Sequence, residues 1–124
     1  MILLTVDEII SLHHKLINKT GGSGGIRDVG LLESAVYSTE TSYDNIEQYQ
    51  SVEQKAARLM FSLVNNHAFV DGNKRIGVLA MLVTLELNGV TLKHTQNELI
   101  KLGLSVADGT KKYCDILNFI NQHS

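Results

Sequence analysis

The chain has 124 residues, 44% of them hydrophobic and 19% charged, with a formal net charge of -2. That length and balance describe one folded domain over residues 1–124 and exclude a disordered segment, because there is enough apolar surface for a core without disulfides. The charge excludes the broad basic surface that nucleic acid or an anionic membrane attracts. The single cysteine, Cys114, excludes an internal disulfide and a cysteine-held metal.

The N-terminus lacks the basic region of an export signal, so a cytoplasmic location is expected. Thr5-Val6-Asp7-Glu8 is a capping box, in which the Thr hydroxyl and Glu carboxylate satisfy amides at a helix start. Val6, Ile9, Ile10, His13, Leu16 and Ile17 then recur at helical spacing to about residue 19. Four glycines in residues 21–25 end that helix and read as a linker loop, since their backbone entropy opposes helix continuation. Asp28 caps a second helix carrying Leu31, Leu32, Ala35 and Val36, which ends near Ser38. Residues 39–50 are polar without a strong period and read as a surface connection or a substrate-facing flap. No strand pattern is apparent anywhere.

Ser51-Val52-Glu53-Gln54 repeats the capping box, and Ala56, Ala57, Leu59, Met60, Leu63 and Val64 form the stripe of a third helix. After a break at residues 68–72, a fourth helix runs over residues 73–87 with apolar residues nearly all round. It is expected to be the most buried, and Asn88-Gly89 stops it. Its nearly apolar stretch of about twelve residues contains Glu86 and is short of the roughly 20 a membrane span needs. Thr95 caps a fifth helix to about residue 106, and residues 110–122 give a sixth with Tyr113, Ile116, Leu117 and Ile120 in register. The expected fold is therefore an all-α bundle of about six helices. Cys114 is expected as a small core residue, and His13, His14, His94 and His123 as structural or exposed side chains.

The stretch His67-Ala68-Phe69-Val70-Asp71-Gly72-Asn73-Lys74-Arg75 concentrates chemistry between two helices. Backbone amides around Gly72 to Arg75 open a helix, whose positive dipole end favours an anion, and Gly72 allows the turn such a nest requires. A histidine ordinarily titrates near neutral pH, so His67 is the candidate general base. Asp71 is a hard oxygen ligand suited to Mg2+, which is usually held by one or two carboxylates together with substrate phosphates. Asn73 can donate to a phosphate oxygen, and Lys74 and Arg75 supply the positive charge that phosphoryl transfer needs. Phe69 is the expected anchor of the loop. Singly, these residues are a helix cap, a turn and solvated charges; together they are expected to form a phosphate cradle with a base and a metal ligand beside it.

The same nine residues resemble the signature loop of Fic/Doc proteins, and the resemblance extends over most of residues 20–107, including Gly21-Gly22-Ser23-Gly24-Gly25-Ile26-Arg27-Asp28. It is nearest to the Doc branch, the death-on-curing toxins. The resemblance implies a Fic-like helical bundle with the active loop opening the central helix, Mg2+ as cofactor and ATP or another nucleoside triphosphate as co-substrate. Nucleotidyl-transferring members carry Gly-Asn-Gly-Arg and a second arginine three residues later, whereas this chain has Lys74 and Val78. In the Doc branch that lysine accompanies a reversed nucleotide and phosphate transfer. Gly72 departs from the founding Doc loop, which has alanine.

The resemblance thus implies a protein Ser/Thr kinase acting on elongation factor Tu and arresting translation, with transfer of a nucleoside monophosphate as the alternative. A domain that only binds an antitoxin or another protein is a third reading, and the presence of His67 and Asp71 speaks against it. A helical DNA-binding module would need a basic recognition helix, which residues 76–87 do not provide. The family's autoinhibitory pattern places Ser or Thr four residues before a Glu, and no Glu here has one. Inhibition is therefore expected from a separate Phd-like antitoxin, an amphipathic segment laid into a groove beside the active loop.

Overall fold

The computed structural model describes residues 1–124. In chain order it contains α1 Val6–Thr20, α2 Val29–Tyr37, a 3-10 turn Ser38–Glu40, β1 Ser42–Tyr43, β2 Ile46–Glu47, α3 Val52–Asn66, α4 Asn73–Leu87, α5 Gln96–Ala107 and α6 Tyr113–His123. Three helices begin with complete capping boxes. Thr5 Oγ1 accepts from the Glu8 amide while Glu8 Oε1 accepts from the Thr5 amide, and Ser51 with Gln54 and Thr95 with Glu98 repeat the exchange. Each cap satisfies amides that a helix start leaves free and is worth about 1 kcal/mol.

The core lies in two clusters that share α3 and α4. Met60, Val64, Met81 and Leu85 meet Leu99, Leu102, Ile116 and Ile120 of α5 and α6 on one side. Leu59, Leu63, Ile76 and Ala80 meet Ile9 of α1 and Leu32 and Ala35 of α2 on the other. The sequence led us to expect α4 as the most buried helix, but α3 is more enclosed, including Lys55 and Ser62. The reason is that α3 is flanked by α2, α4 and α6, whereas Val78, Leu79 and Leu82 of α4 face an open groove.

The α3–α4 crossing depends on Gly77. A Cβ there would lie 2.6 Å from Val64 Cγ2 and 3.3 Å from the Met60 carbonyl oxygen, so any side chain forces the helices apart. Overpacking of this kind costs about 1–3 kcal/mol. Gly77→Val is therefore expected to lower the Tm by roughly 10 °C, read by thermal unfolding; an unchanged Tm would show that the crossing is looser than described.

Residues 39–50 depart from the expectation of no strands. Ser42 pairs with Glu47 and Tyr43 with Ile46 in an antiparallel hairpin, and Asp44 and Asn45 at its tip have φ of 51° and 62°. Positive φ at both central residues is the geometry of the tight turn that matches strand twist, and Asp and Asn tolerate it. Two-residue strands are too short to leave an alternation in the sequence. The hairpin is tied to α3 by Lys55, whose buried ammonium donates to Glu47 Oε1 at 2.7 Å and to the Thr39 carbonyl at 2.8 Å.

Cys114, expected in the core, is exposed. The buried stripe of α6 is Ile116, Phe119 and Ile120, and position 114 falls about 200° from 116 at 100° per residue, on the solvent side. No helix is long and apolar enough to cross a membrane.

The end of α6 is fastened to the start of α5. His123 Nε2 lies 2.7 Å from Glu98 Oε2, its ring stacks on Phe119 at 3.9 Å, and its carbonyl accepts from the Lys93 amide at 2.7 Å. The hydrogen bond to Glu98 raises the His123 pKa above its ordinary 6.5, and the same bond lowers that of Glu98 below 4.5. The His123 contribution is complete below its unfolded pKa and fades as pH rises through the folded value. The Glu98 contribution is complete above its unfolded pKa and fades as pH falls through the folded value. The Tm difference between the wild type and His123→Gln should therefore be largest between about pH 4.5 and 6.5 and shrink on either side. A difference independent of pH would remove the ion pair from the account.

Candidate active site

The stretch between α3 and α4 is fixed from three directions. α3 ends at His67, whose φ of 53° and ψ of 46° are left-handed, and this turns the chain back toward the start of α4. Arg27 secures the turn: its Nε donates to the His67 carbonyl at 2.7 Å and its Nη2 to the Asn66 carbonyl at 3.4 Å. The backbone of residues 25–28 then pairs with the loop. The Val70 amide donates to the Gly25 carbonyl at 2.9 Å, the Arg27 amide to the Ala68 carbonyl at 2.7 Å, and Ile26 and Phe69 form an antiparallel bridge.

Phe69 points into the core at 1% exposure, and its ring stacks on that of His13 at 3.7 Å. His13, buried on α1, also places Nε2 2.7 Å from the Asp71 carbonyl oxygen. Asn73 braces the loop from the α4 side: its Oδ1 accepts from the Phe69 amide at 3.1 Å and its Nδ2 donates to the Phe69 carbonyl at 3.0 Å. The carboxamide expected to face phosphate is thus engaged at both ends by backbone, leaving one amide hydrogen.

Gly72 opens α4 in the left-handed region at φ 79°, and no side chain caps the helix. The first helical bond runs from the Ile76 amide to the Gly72 carbonyl, so the amides of Asn73, Lys74 and Arg75 lie ahead of the ladder with the positive dipole end behind them. The same three residues line an open concavity of about 350 Å³, together with His67, Asp71 and Gly72. Every residue singled out in the sequence except Phe69 therefore comes to one place. His67, Asp71 and Lys74 are exposed there, and Arg75 is half-buried.

Asp71 Oδ1 accepts from the Gly72 amide at 2.8 Å and lies 3.5 Å from Arg75 Nη2. With both side chains over a third exposed, that pair contributes little to stability. Its effect is on orientation, because Arg75 Nη1 also donates to Thr20 Oγ1 at 2.5 Å and to the Gly21 carbonyl at 3.0 Å. The guanidinium thereby joins the end of α1 to the loop. The second carboxylate oxygen, Oδ2, is turned toward Gly22.

The glycine segment, read as a linker from the sequence, packs against two residues of the site, Asp71 and Arg75. A Cβ at position 22 would collide with Asp71 Oδ2 and come within 3.3 Å of Arg75 Nη2, and its φ is 114°. Close approach and left-handed backbone both demand glycine there. A second concavity of about 380 Å³ adjoins the first, sharing Lys74 and Arg75, and is lined by apolar side chains including Leu16, Val78, Leu79, Leu82, Leu99 and Ile100.

Besides Gly22, Arg27 and His13 reach the site without any sequence feature that links them to it. Arg27 lies 40 positions before His67 and His13 lies 58 before Asp71, distances at which no periodicity links them. For Arg27 the one available signal was that basic side chains cap helix C-termini; for His13, that it shares the apolar stripe of α1.

A family model described as the Fic/DOC family matches residues 3–85, a stretch containing the whole loop. Among relatives, the chain is 43% identical over 72 residues to Toxin Doc of Mycolicibacterium smegmatis (strain ATCC 700084 / mc(2)155), covering 58% of this chain and 55% of that one. It is 29% identical over 108 residues to Protein kinase doc of Escherichia phage P1, covering 86% of this chain and 82% of that one. The matched part thus spans about half the length of the Mycolicibacterium relative.

Proposed function

The chain belongs to the Fic/Doc family, and on that premise we propose that it is a Doc-like toxin that phosphorylates a Ser or Thr hydroxyl of a cytosolic protein, elongation factor Tu being the leading acceptor. The observation that carries the reading is the single concavity uniting His67, Asp71, Lys74 and Arg75 with the uncapped start of α4. A base, a carboxylate and converging positive groups are the parts that phosphoryl transfer requires, since its catalysis is mostly positioning and charge stabilisation.

In this mechanism His67 takes the proton of the acceptor hydroxyl. The acceptor oxygen attacks the terminal phosphorus of ATP, the bond from that phosphorus to the β–γ bridging oxygen breaks, and ADP leaves with the bond's electron pair. The amides of Asn73, Lys74 and Arg75 hold phosphate oxygens, and the Lys74 ammonium offsets the charge that builds up. Asp71 would hold Mg2+, which neutralises phosphate charge when bound. A single carboxylate suits a magnesium that takes most of its oxygens from phosphate and water. The Oδ2 of Asp71 makes no hydrogen bond within the chain and is the oxygen free for that task.

Val78 supports the phosphate direction. It stands where nucleotidyl-transferring members carry their second arginine and lines the apolar groove, so the cation those members place at that position is missing. Gly72 matches the nucleotidyl-transferring pattern, but its surroundings account for it: a Cβ there would lie 3.1 Å from Ile17 Cδ1 at φ 79°. The apolar groove suits a Phd-like antitoxin, whose amphipathic segment would reach Lys74 and Arg75 at the edge shared by the two concavities.

The test is incubation of the purified chain with bacterial cytosolic extract, magnesium and labelled ATP. One dominant labelled protein, absent when Asp71 or His67 is replaced, is expected. No labelling above these variants would overturn the proposal.

A further inference from the structure

We propose that His13 is a positioning residue for this site: its imidazole holds the Asp71 carbonyl and supports Phe69, fixing the place from which the Asp71 carboxylate meets the nucleotide. The inference rests on the reading of the concavity as a nucleotide site. His13 is 1% exposed, stacks on Phe69 with ring planes 14° apart, and places Nε2 2.7 Å from the Asp71 carbonyl oxygen. A carbonyl only accepts, so Nε2 carries the hydrogen and donates. The same nitrogen would lie 3.4 Å from a Cβ on Gly72, so the imidazole occupies the space beneath the turn.

Position along the chain separates this from ordinary packing. The hydrogen bond ends on Asp71, a residue of the concavity's lining, and the stack ends on Phe69, whose backbone Asn73 grips from the opposite side. The loop is therefore held between α1 and α4, and α1 reaches it through His13 and through the Thr20 and Gly21 contacts of Arg75. Loss of the Nε2 donor leaves a part-buried carbonyl unpaired and lets the turn at residues 70–72 rotate, displacing the carboxylate without altering its chemistry.

His13→Phe keeps an aromatic ring for the stack and removes the donor; His13→Gln keeps a donor of similar reach and removes the ring. Amide exchange in the full chain is expected to be roughly tenfold faster at Val70 and Gly72 in the Phe variant, the scale of one lost hydrogen bond, with α3 unchanged. Its KM for magnesium–ATP should rise about tenfold with a smaller fall in kcat, and the Gln variant should recover most of both effects. Wild-type exchange at Val70 and Gly72 in the Phe variant, or a Gln variant as impaired as Phe with both melting near the wild type, would overturn the proposal. If the wild type itself binds no magnesium–ATP, the nucleotide reading fails, and the exchange measurement still decides whether His13 holds the loop.

Discussion

Replacing His67 by alanine is expected to lower phosphate transfer by about 10²–10⁴-fold, the usual contribution of a general base, while leaving magnesium–ATP binding and the fold in place. The side chain is exposed, and the structural use of this residue is confined to its backbone, which accepts from Arg27 and adopts φ 53° to end α3. Alanine in a left-handed conformation strains that turn by about 1–2 kcal/mol. His67→Asn is the cleaner companion, because asparagine tolerates that region. Both variants should bind nucleotide like the wild type and fail in transfer. Wild-type turnover in His67→Asn would remove the base assignment, and loss of nucleotide binding would assign His67 to the cradle.

Asp71→Asn is expected to abolish the magnesium dependence of ATP binding. The substitution retains Oδ1, so the bond from the Gly72 amide at 2.8 Å survives and the turn stays in place, while the charge available at Oδ2 is lost. Groups that merely orient a metal ligand are worth about 10–100-fold in metal affinity, and a direct ligand should be worth at least as much. Titration calorimetry with ATP, with and without magnesium, reads the effect. The magnesium-free affinity should change little, because the α4 amides, Lys74 and Arg75 remain. Equal magnesium–ATP affinity in the variant and the wild type would remove Asp71 from the metal.

What could be read from the sequence was what is local. The boxes at Thr5, Ser51 and Thr95 set three helix starts within one residue of where they occur, because a cap is an exchange between positions three apart. The loop from His67 to Arg75 was legible for the same reason: its residues are near neighbours, and Gly72 opens a helix. Illegible were contacts made across the chain. Gly22 lies against Asp71, Arg27 holds the His67 carbonyl and His13 holds that of Asp71, and each depends on α1 and the following segment folding back onto the loop. The exposure of Cys114 and the open face of α4 were hidden likewise, since burial depends on which neighbours arrive.

The most direct test of the central claim supplies ATP labelled on either the α- or the γ-phosphate to the purified chain, its acceptor protein and magnesium, with His67→Ala as the blank. Label on the acceptor from the γ-position alone is the predicted result and assigns phosphate transfer. Label from the α-position would mean that a nucleoside monophosphate is transferred, contradicting the orientation inferred from Lys74 and Val78.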